Sequence, residues 1–206
     1  MSAQPSISQN QLSSVQRILE RAIEVIETSG EAAIRTNPIA FECGVTPPIL
    51  YRAYGSREGL IVAAQAERYR RSTSEAMASI VRYIEEADSR EQLRSYIARA
   101  LDLIFSADRS SNRRLRVEVI GSSVSRPELR KEISRIDQEY AQAIVEAYQP
   151  AVQRGWISPD RDLSVIALWA QGIVNSRFMV DAQSSSAVVR TWDELSKTAI
   201  LSAIFD

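Results

Sequence analysis

The chain has 206 residues, 45% of them apolar, and its 25 Lys and Arg are nearly balanced by 26 Asp and Glu. This length suits one large domain or two small ones, and the apolar content is enough to build a core. The chain contains no histidine, so it lacks the commonest general base and metal ligand, which argues against most hydrolases and zinc enzymes. We expect no enzyme activity, no metal and no cofactor.

Composition also bears on where the protein acts. No apolar run approaches the 18 or more residues that a membrane span needs, and residues 1–14 lack the charged and apolar regions of a signal peptide. We therefore expect a cytoplasmic protein with no membrane partner. The single cysteine, Cys43, cannot form an internal disulfide. Because no histidine is available to activate it, we expect Cys43 to be a core residue rather than a nucleophile or redox sensor.

The first predicted helix is amphipathic and ends before Gly30. Apolar residues recur on one of its faces at helical spacing. They are Leu12, Val15, Ile18, Leu19, Ala22, Val25 and Ile26.

Two short helices and a tight turn are predicted next. Ala40 is small enough for two helices to cross closely, and Gly44 can take the positive φ that ends the first of them. Thr46 is a suitable N-cap for the second helix, and Pro47 is favourable at its first position. Gly55 then ends that helix. The pattern indicates a helix-turn-helix, in which the second helix enters the major groove of DNA.

This region resembles the N-terminal domain of the TetR family of transcriptional regulators. The family order is a helix, Gly, eight residues, Ile-Ala, Gly-Val-Ser/Thr, Leu-Tyr, an aromatic residue, Lys/Arg-Glu and Leu. The matching residues are Gly30, Ile39-Ala40, Gly44-Val45-Thr46, Leu50-Tyr51, Tyr54, Arg57-Glu58 and Leu60. The resemblance implies a helix-turn-helix head joined by a long fourth helix to a helical body.

The rest of the chain also favours helices, because it has few Gly and Pro and no alternating strand pattern. The predicted helices span about residues 10–29, 37–43, 47–53, 57–86, 90–107, 112–123, 127–154, 162–181 and 185–205. We expect an all-α fold of about nine helices. The expected domains are a DNA-binding head over residues 1–56 and a ligand-binding and dimerisation body over residues 57–206.

The exposed residues of the second helix of the pair are the candidates for reading bases. They are Thr46, Pro47, Pro48, Ile49 and Arg52. Arg52 can make a bidentate contact to guanine, with a phosphate contact or a solvated side chain as the alternative. Pro47 and Pro48 remove two N–H donors from the helix start, which weakens anion binding there and favours apolar contact with a base.

The resemblance assigns phosphate contacts to residues around this helix. Tyr51 matches the family tyrosine whose hydroxyl reaches a phosphate, with packing as the alternative. Arg57 stands where the family usually has lysine. Because a positive charge is unfavourable at a helix N-terminus, Arg57 is better explained as a residue that binds phosphate than as one that stabilises its helix. Arg35 and Thr36 are further candidates. Pro38 should delay their helix, so that Thr36 or the next residue becomes the N-cap.

Charge gives a mixed indication of DNA binding. The net charge of −1 argues mildly against a nucleic-acid partner, and residues 1–16 are uncharged and therefore unsuited to a basic minor-groove arm. Residues 43–57, however, contain two Arg and no carboxylate. We expect modest non-specific affinity that depends on a few well-placed contacts.

The resemblance implies that the body binds a small molecule. Inward-facing aromatic residues with a few polar groups would line such a pocket, although most aromatics at helical spacing are core. The candidates are Tyr96, Asp102, Phe105, Tyr140, Asn175 and Phe178. An arginine cluster suggests either an anion site or, as we expect, a solvated helix start. Its members are Arg109, Arg113, Arg114 and Arg116.

The resemblance also implies a homodimer formed by the last two long helices. Gly172 and Ser176 are four residues apart and permit close helix approach, and Trp169 could anchor the contact. The alternative for each is packing within one chain.

The expected function is a ligand-responsive transcriptional regulator that acts as a repressor. As a homodimer it would bind a pseudo-palindromic double-stranded DNA operator and would be released by a small-molecule effector. The alternative is a helical small-molecule carrier or interaction protein whose head no longer binds DNA.

Overall fold

The computed structural model describes residues 13–182 and 185–206, and within these the side chains of residues 75–81 are left aside. The described residues form ten α-helices and two short 3-10 turns, with no strand. The helices are α1 (Ser14–Ser29), α2 (Thr36–Glu42), α3 (Pro47–Tyr54), α4 (Arg57–Glu86), α5 (Arg90–Phe105), α6 (Ser110–Ser123), α7 (Pro127–Gln153), α8 (Leu163–Ser176), α9 (Phe178–Asp181) and α10 (Ser186–Phe205). The all-α prediction is confirmed. Leu12 and most of the uncharged N-terminal segment lie outside the described residues.

Contacts divide the chain into a head, residues 1–68, and a body, residues 69–206. The division lies within α4, twelve residues beyond the expected boundary at residue 56. The reason is that Leu60, Ile61 and Ala64 of α4 are fully buried in the head core. The first turns of α4 therefore supply one wall of the head.

The head core consists of aliphatic side chains that are almost completely buried. Ile18, Ala22 and Ile26 from α1 meet Ile39 from α2 and Leu50 from α3, all 3% exposed or less. Burial of one such side chain contributes about 2 kcal/mol, which short helices need because they are unstable alone.

Two glycines determine how the head helices connect. Gly44 has φ +65° after α2, as the sequence predicts. Gly59 lies where an added Cβ would stand 2.0 Å from the Tyr54 carbonyl oxygen. The Gly59 N–H donates to Ser56 Oγ at 2.9 Å, and this bond caps the start of α4. The turn between α3 and α4 thus excludes any side chain at residue 59.

One predicted N-cap is wrong, and a second is at the predicted residue but lacks its side-chain bond. Helix α2 starts at Thr36, with the extended Arg35 as its N-cap and no side-chain cap bond, so Thr36 is not the cap. Pro38 does not delay the helix, because the N–H it lacks would be one of the unsatisfied donors of the first turn. Thr46 is the N-cap of α3, but its side chain makes no capping bond, and the Ile49 N–H donates to the Thr46 carbonyl at 2.9 Å.

The body core combines α5, α7, α8 and α10. Leu93, Ile97, Ile144, Ile157 and Ile200 are at most 5% exposed within it. The helix expected over residues 162–181 is instead broken at residue 177 into α8 and α9.

One described stretch, Leu163–Asp181, is long and apolar enough to cross a membrane by length and composition alone. Core helices of globular proteins pass the same criterion. The expectation that no segment approaches such a span is therefore too strong. Only 28% of the stretch is buried, because Val165, Leu168 and Trp169 expose apolar surface.

Candidate nucleic-acid interface and body cavity

The recognition helix α3 has one buried side and one open side. Leu50 is fully buried and fixes the helix in the head core. Thr46, Pro48, Ile49 and Arg52 are exposed, and Ile49 keeps 37% of its surface accessible. Pro47, also predicted to read bases, is half-buried. The open side therefore combines apolar surface with one cation.

Arg52 differs from the other arginines predicted to contact DNA. It is exposed and makes no hydrogen bond or ion pair with any residue that the structure describes. Its guanidinium can therefore contact a ligand without breaking an intramolecular interaction.

Tyr51 and Thr36 lie together although they are 15 residues apart. The Tyr51 hydroxyl is 3.0 Å from Thr36 Oγ1, and Tyr51 is 43% exposed. This bond joins the start of α2 to the middle of α3. Two hydroxyls at one exposed place suit a phosphate oxygen, to which either can donate.

Arg57 and Arg35 have structural partners that the sequence does not indicate. Arg57 donates from Nε to the Ile34 carbonyl at 2.9 Å and from Nη2 to the Glu31 carbonyl at 2.8 Å. Arg35 donates from Nη1 to the Ala32 carbonyl at 2.6 Å and to the Ile34 carbonyl at 3.0 Å. Both side chains thereby satisfy carbonyls around the turn that follows α1.

Cys43 and Tyr54 are half-buried against the head core. Burial raises the pKa of the Cys43 thiol above its ordinary value, with the charge of Arg17 opposing the change. A thiol held protonated is a poor nucleophile. Burial also raises the pKa of Tyr54 to about 12, and its hydroxyl donates to the Val15 carbonyl at 2.7 Å. Both residues therefore support the head structurally.

The body contains a cavity of about 140 Å³ with a mainly apolar wall. Aliphatic residues of α5, α7, α8 and α10 form most of that wall. Its polar members include Tyr83, Tyr140, Tyr148, Gln171, Arg113 and Arg116. Apolar surface with a few polar groups is the usual composition of a small-molecule site.

Tyr140 is the only one of the six predicted ligand residues in this wall. Tyr96 packs beside Tyr83 with ring centroids 5.6 Å apart, and Phe105 is core at 3% exposure. Asp102 is on the surface and pairs with Lys197 at 2.7 Å.

The last two members of that set lie near the break between α8 and α9. Asn175 is half-buried outside the cavity wall, and its Oδ1 has no partner in the described part of the chain. Phe178 is 37% exposed at the start of α9. The helical spacing of apolar residues alone does not distinguish the residues that line the cavity from those, such as Asn175 and Phe178, that lie outside its wall.

The arginine cluster of α6 is not the solvated helix start that we expect from sequence. Arg113 is 2% exposed and Arg116 is 8% exposed, whereas Arg109 and Arg114 are on the surface. The only signal in the sequence is spacing, since Arg116 shares a helix face with Val119, which is fully buried.

Arg113 belongs to a buried network of four charges. Its Nε and Nη2 bind the two Asp181 carboxylate oxygens at 2.9 and 2.8 Å. Arg177 binds Asp181 at 2.7 Å and Asp193 at 2.5 Å. The two positive and two negative side chains neutralise each other, and charges that are buried away from water need such partners. The network joins α6 to α9 and α10 beside the break at residue 177.

Gln171 belongs to a second polar network in the cavity wall. Its Nε2 donates to the Tyr69 hydroxyl at 2.9 Å and to Asp137 Oδ1 at 3.0 Å. Tyr69 donates to the same carboxylate oxygen at 2.9 Å. Burial raises the pKa of Asp137, while the bonds from Tyr69 and Gln171 oppose that change.

The three residues predicted at the dimer interface lie on α8. Trp169 is 44% exposed, Gly172 is exposed, and a Cβ added to Gly172 would meet nothing within 4 Å. Ser176 is half-buried and donates to the Ile173 carbonyl at 2.8 Å. Trp169 and Gly172 therefore lie on solvent-accessible surface.

Sequence comparison assigns the head to a family. Residues 18–64 match the model of the bacterial regulatory proteins of the tetR family. This match identifies residues 18–64 as similar to the DNA-binding domain of that family. The helix-turn-helix of the head is thus of the kind found in these regulatory proteins, as the resemblance implies. No curated protein matches the chain over its sequence.

Solved structures share the fold of the chain over almost its whole length. A Mesorhizobium loti protein assigned to TetR-family transcriptional regulators is 16% identical, covers 94% of this chain and 97% of its own, and has a TM-score of 0.66. The multidrug binding protein EbrR complexed with imidazole is 20% identical, covers 94% of this chain and 96% of its own, and has a TM-score of 0.62. Bacillus subtilis FadR in complex with stearoyl-CoA is 18% identical, covers 92% of this chain and 98% of its own, and has a TM-score of 0.53.

No group of three or more potential metal ligands occurs among residues 13–182 and 185–206.

The Asp181 network predicts a pH-dependent loss of stability. Burial alone would raise the pKa of Asp181, but Arg113 and Arg177 outweigh it and hold the pKa below its ordinary value of 3.8. The ionised carboxylate therefore stabilises the fold above about pH 3.8, and this contribution is lost as pH falls through the lower folded pKa. Asp181→Asn should cost about 3 kcal/mol of unfolding free energy at pH 7, because it leaves the buried Arg113 without a carboxylate partner.

Urea unfolding at pH 7, 5 and 3 measures this effect, and the difference between wild type and Asp181→Asn should shrink at pH 3. Asp102→Asn is the matched control, because it breaks an exposed pair with Lys197 and should cost less than about 1 kcal/mol. Equal losses from both substitutions at pH 7 would contradict the role given to the buried network.

Proposed function

We propose that this TetR-family regulator is a homodimeric repressor that binds a pseudo-palindromic operator and releases it when a small molecule occupies the body cavity. The observation that carries the DNA-binding part is the exposed Arg52, which has no partner in the described residues, on a helix anchored by Leu50. Arg52 reads guanine in the major groove, and Thr46, Pro47, Pro48 and Ile49 approach the neighbouring bases.

Phosphate contacts flank this base-reading surface. Tyr51 and Thr36 hold one phosphate through their paired hydroxyls. Arg35 and Arg57 approach the backbone while keeping their bonds to the turn after α1. In this role, the two arginines both position the turn and supply positive charge.

The homodimer is supported by an apolar stripe on α8. Val165, Leu168, Trp169 and Gly172 occupy the i, i+3, i+4 and i+7 positions of one helix face and are all exposed. On α10, Val188 is 50% exposed and Leu195 is 67% exposed. Exposed apolar patches of this kind mark association surfaces. Two copies of the head would match the symmetry of a pseudo-palindromic operator.

The effector part of the proposal rests on the cavity and its mainly apolar wall. Among proteins of the same fold, FadR is in complex with stearoyl-CoA and EbrR with imidazole. A ligand that binds the released form better than the DNA-bound form shifts the protein towards release.

The second candidate function is a helical small-molecule carrier whose head no longer binds DNA. It is favoured by the near-neutral charge of the chain and by the bonds of Arg35 and Arg57 to backbone carbonyls. Titration of promoter-region DNA at several salt concentrations separates the two functions. Salt-dependent, sequence-selective binding supports the repressor, and its absence supports the carrier.

Arg52→Ala is expected to reduce discrimination at one base pair by about 1 to 3 kcal/mol, because a bidentate guanine contact is lost. Binding to the operator and to variants substituted at each position measures this change. Arg114→Ala is the matched control, since it removes one exposed arginine from the body. If Arg52→Ala lowers the affinity equally for every sequence, Arg52 contacts only phosphate.

Trp169→Asp is expected to convert the dimer into a monomer, because the charge would be buried in an apolar interface. Sedimentation equilibrium over a range of protein concentrations measures the association constant. Val124→Asp places the same charge at a residue that is 71% exposed at the end of α6. A dimer that survives Trp169→Asp but dissociates with Val124→Asp would exclude α8 as the interface.

A further inference from the structure

The start of α6 supplies every charged side chain in the wall of the body cavity, as far as the structure describes the chain. Four polar residues there are spaced at i, i+3, i+4 and i+7, and all of them line the cavity: Arg109, Asn112, Arg113 and Arg116. This spacing places side chains on one face of a helix. None of the described lining residues is Asp or Glu, so the charge that a ligand meets in this wall is positive.

Two of the three arginines act on a ligand mainly through their charge. Arg113 is 2% exposed and binds Asp181 through Nε and Nη2. Arg116 is 8% exposed, donates from Nε to Ser72 Oγ at 3.2 Å, and lowers the pKa of Asp137. Neither Asp181 nor Asp137 is a lining residue. A ligand in the cavity therefore contacts the positive members of these pairs and not the negative ones.

The third arginine marks the mouth of the cavity. Arg109 lies on the surface, and Leu103, which also lines the cavity, is 60% exposed. Leu163, Ile200 and Ile204 line the cavity at 6% exposure or less and belong to its interior. Surface partners hold an arginine only weakly, so Arg109 can bind a ligand group at the mouth. A charged group placed there also keeps contact with water.

The other polar groups of the wall do not favour either sign of charge. Ser72 Oγ donates to the Tyr69 carbonyl at 2.7 Å, and Thr73 Oγ1 donates to the Arg70 carbonyl at 2.8 Å. Gln171 Oε1 has essentially no accessible surface, so a ligand does not reach it. These three side chains therefore contribute little to selection.

The groups still available to a ligand are one amide and three hydroxyls. Asn112 is half-buried, and its amide makes no hydrogen bond with any residue that the structure describes. The hydroxyls, equally without such a bond, belong to Tyr83, Tyr140 and Tyr148. Amides and phenols can donate or accept, so they suit neutral and anionic ligands alike. The arginines then decide which charge is preferred.

Size limits the ligand further. A dry apolar cavity of about 150 Å³ accommodates benzene, and the cavity here measures about 140 Å³. The apolar part of the ligand is therefore a single ring or a hydrocarbon chain of similar volume.

We propose that the cavity selects a compact amphiphilic anion, a single ring or short hydrocarbon chain that carries one carboxylate. The apolar part packs on the aliphatic residues of the interior, and the carboxylate binds Asn112 and Arg109 at the mouth. Arg113 and Arg116 add attraction, and the same charges repel a cation. The inference deepens the proposed function and rests on it in taking the bound molecule to be the effector.

Three probes of nearly equal shape test the preferred charge in the absence of DNA. 4-Ethylbenzoate is an anion, 4-ethylbenzamide is neutral, and 4-ethylbenzamidine is a cation. Ligand-observed NMR titration of the full chain at low salt measures the three dissociation constants. The benzoate should bind about threefold to tenfold more tightly than the benzamide, because charge-assisted hydrogen bonds are the stronger ones. The benzamidine should bind most weakly, and added salt should reduce the differences.

Arg109→Gln should remove most of the preference for the benzoate over the benzamide while leaving the benzamide affinity unchanged. Arg114→Gln is the matched control, because Arg114 is an exposed arginine of the same helix that does not line the cavity. Asn112→Ala should weaken both the benzoate and the benzamide, since it removes a donor to the oxygen that the two probes share. This second variant places the head group at the mouth independently of Arg109.

Equal affinity of the wild type for benzoate and benzamide, tightest binding of the benzamidine, or no binding of any probe would overturn the proposal. Equal effects of Arg109→Gln and Arg114→Gln would also overturn it. Operator release is measured separately. If the benzoate is selected but does not release DNA, the ligand class stands and the effector function fails. If another compound releases DNA while the three probes are not distinguished, the effector function stands and the ligand class fails.

Discussion

The DNA-binding surface depends on the burial of Leu50. An isolated helix of eight residues is unstable in water, and α3 also begins with two prolines and has no side-chain cap. Burial of Leu50 in the aliphatic head core, where α3 packs on α2 and α1, supplies the stability that α3 lacks. Because one side of α3 is fixed in this way, the opposite side, with Arg52, is presented in a single orientation.

The body follows a different constraint, the neutralisation of buried charge. Arg113 lies in the cavity wall at 2% exposure, where an unpaired guanidinium would be prohibitive. Asp181 satisfies it, and Arg177 and Asp193 complete the set. The network joins the wall to α9 and α10, so a ligand that moved Arg113 would act directly on helices near the proposed dimer surface.

Local signals made the head predictable from sequence. The positive φ at Gly44 and the start of α3 at Pro47 depend on residues only a few positions apart. The carbonyl contacts of Arg57 were not predictable, because they require residues 31 and 34 to be brought to α4 by the fold of the head. The predicted N-cap of α2 is wrong because Pro38 lies in the first turn, where the N–H that it lacks would have no partner within the helix.

The body was less predictable for a related reason. An apolar face shows where a helix is buried, but it does not show whether the neighbouring space is filled. Phe105 and Tyr148 are both buried aromatics of the body, yet only Tyr148 borders the cavity. Arg113 seemed solvent-exposed because its partner, Asp181, is 68 residues away and no periodic pattern connects the two.

In the proposed function, two copies of this head read a symmetric DNA site. The most direct measurement is selection of bound duplexes from a random library by the full-length protein, followed by sequencing and by determination of the protein-to-DNA ratio. A homodimeric repressor should enrich an inverted repeat, with half-sites separated by about one helical turn or more and two chains per duplex. Recovery of no enriched motif, or of a single half-site bound by one chain, would contradict it.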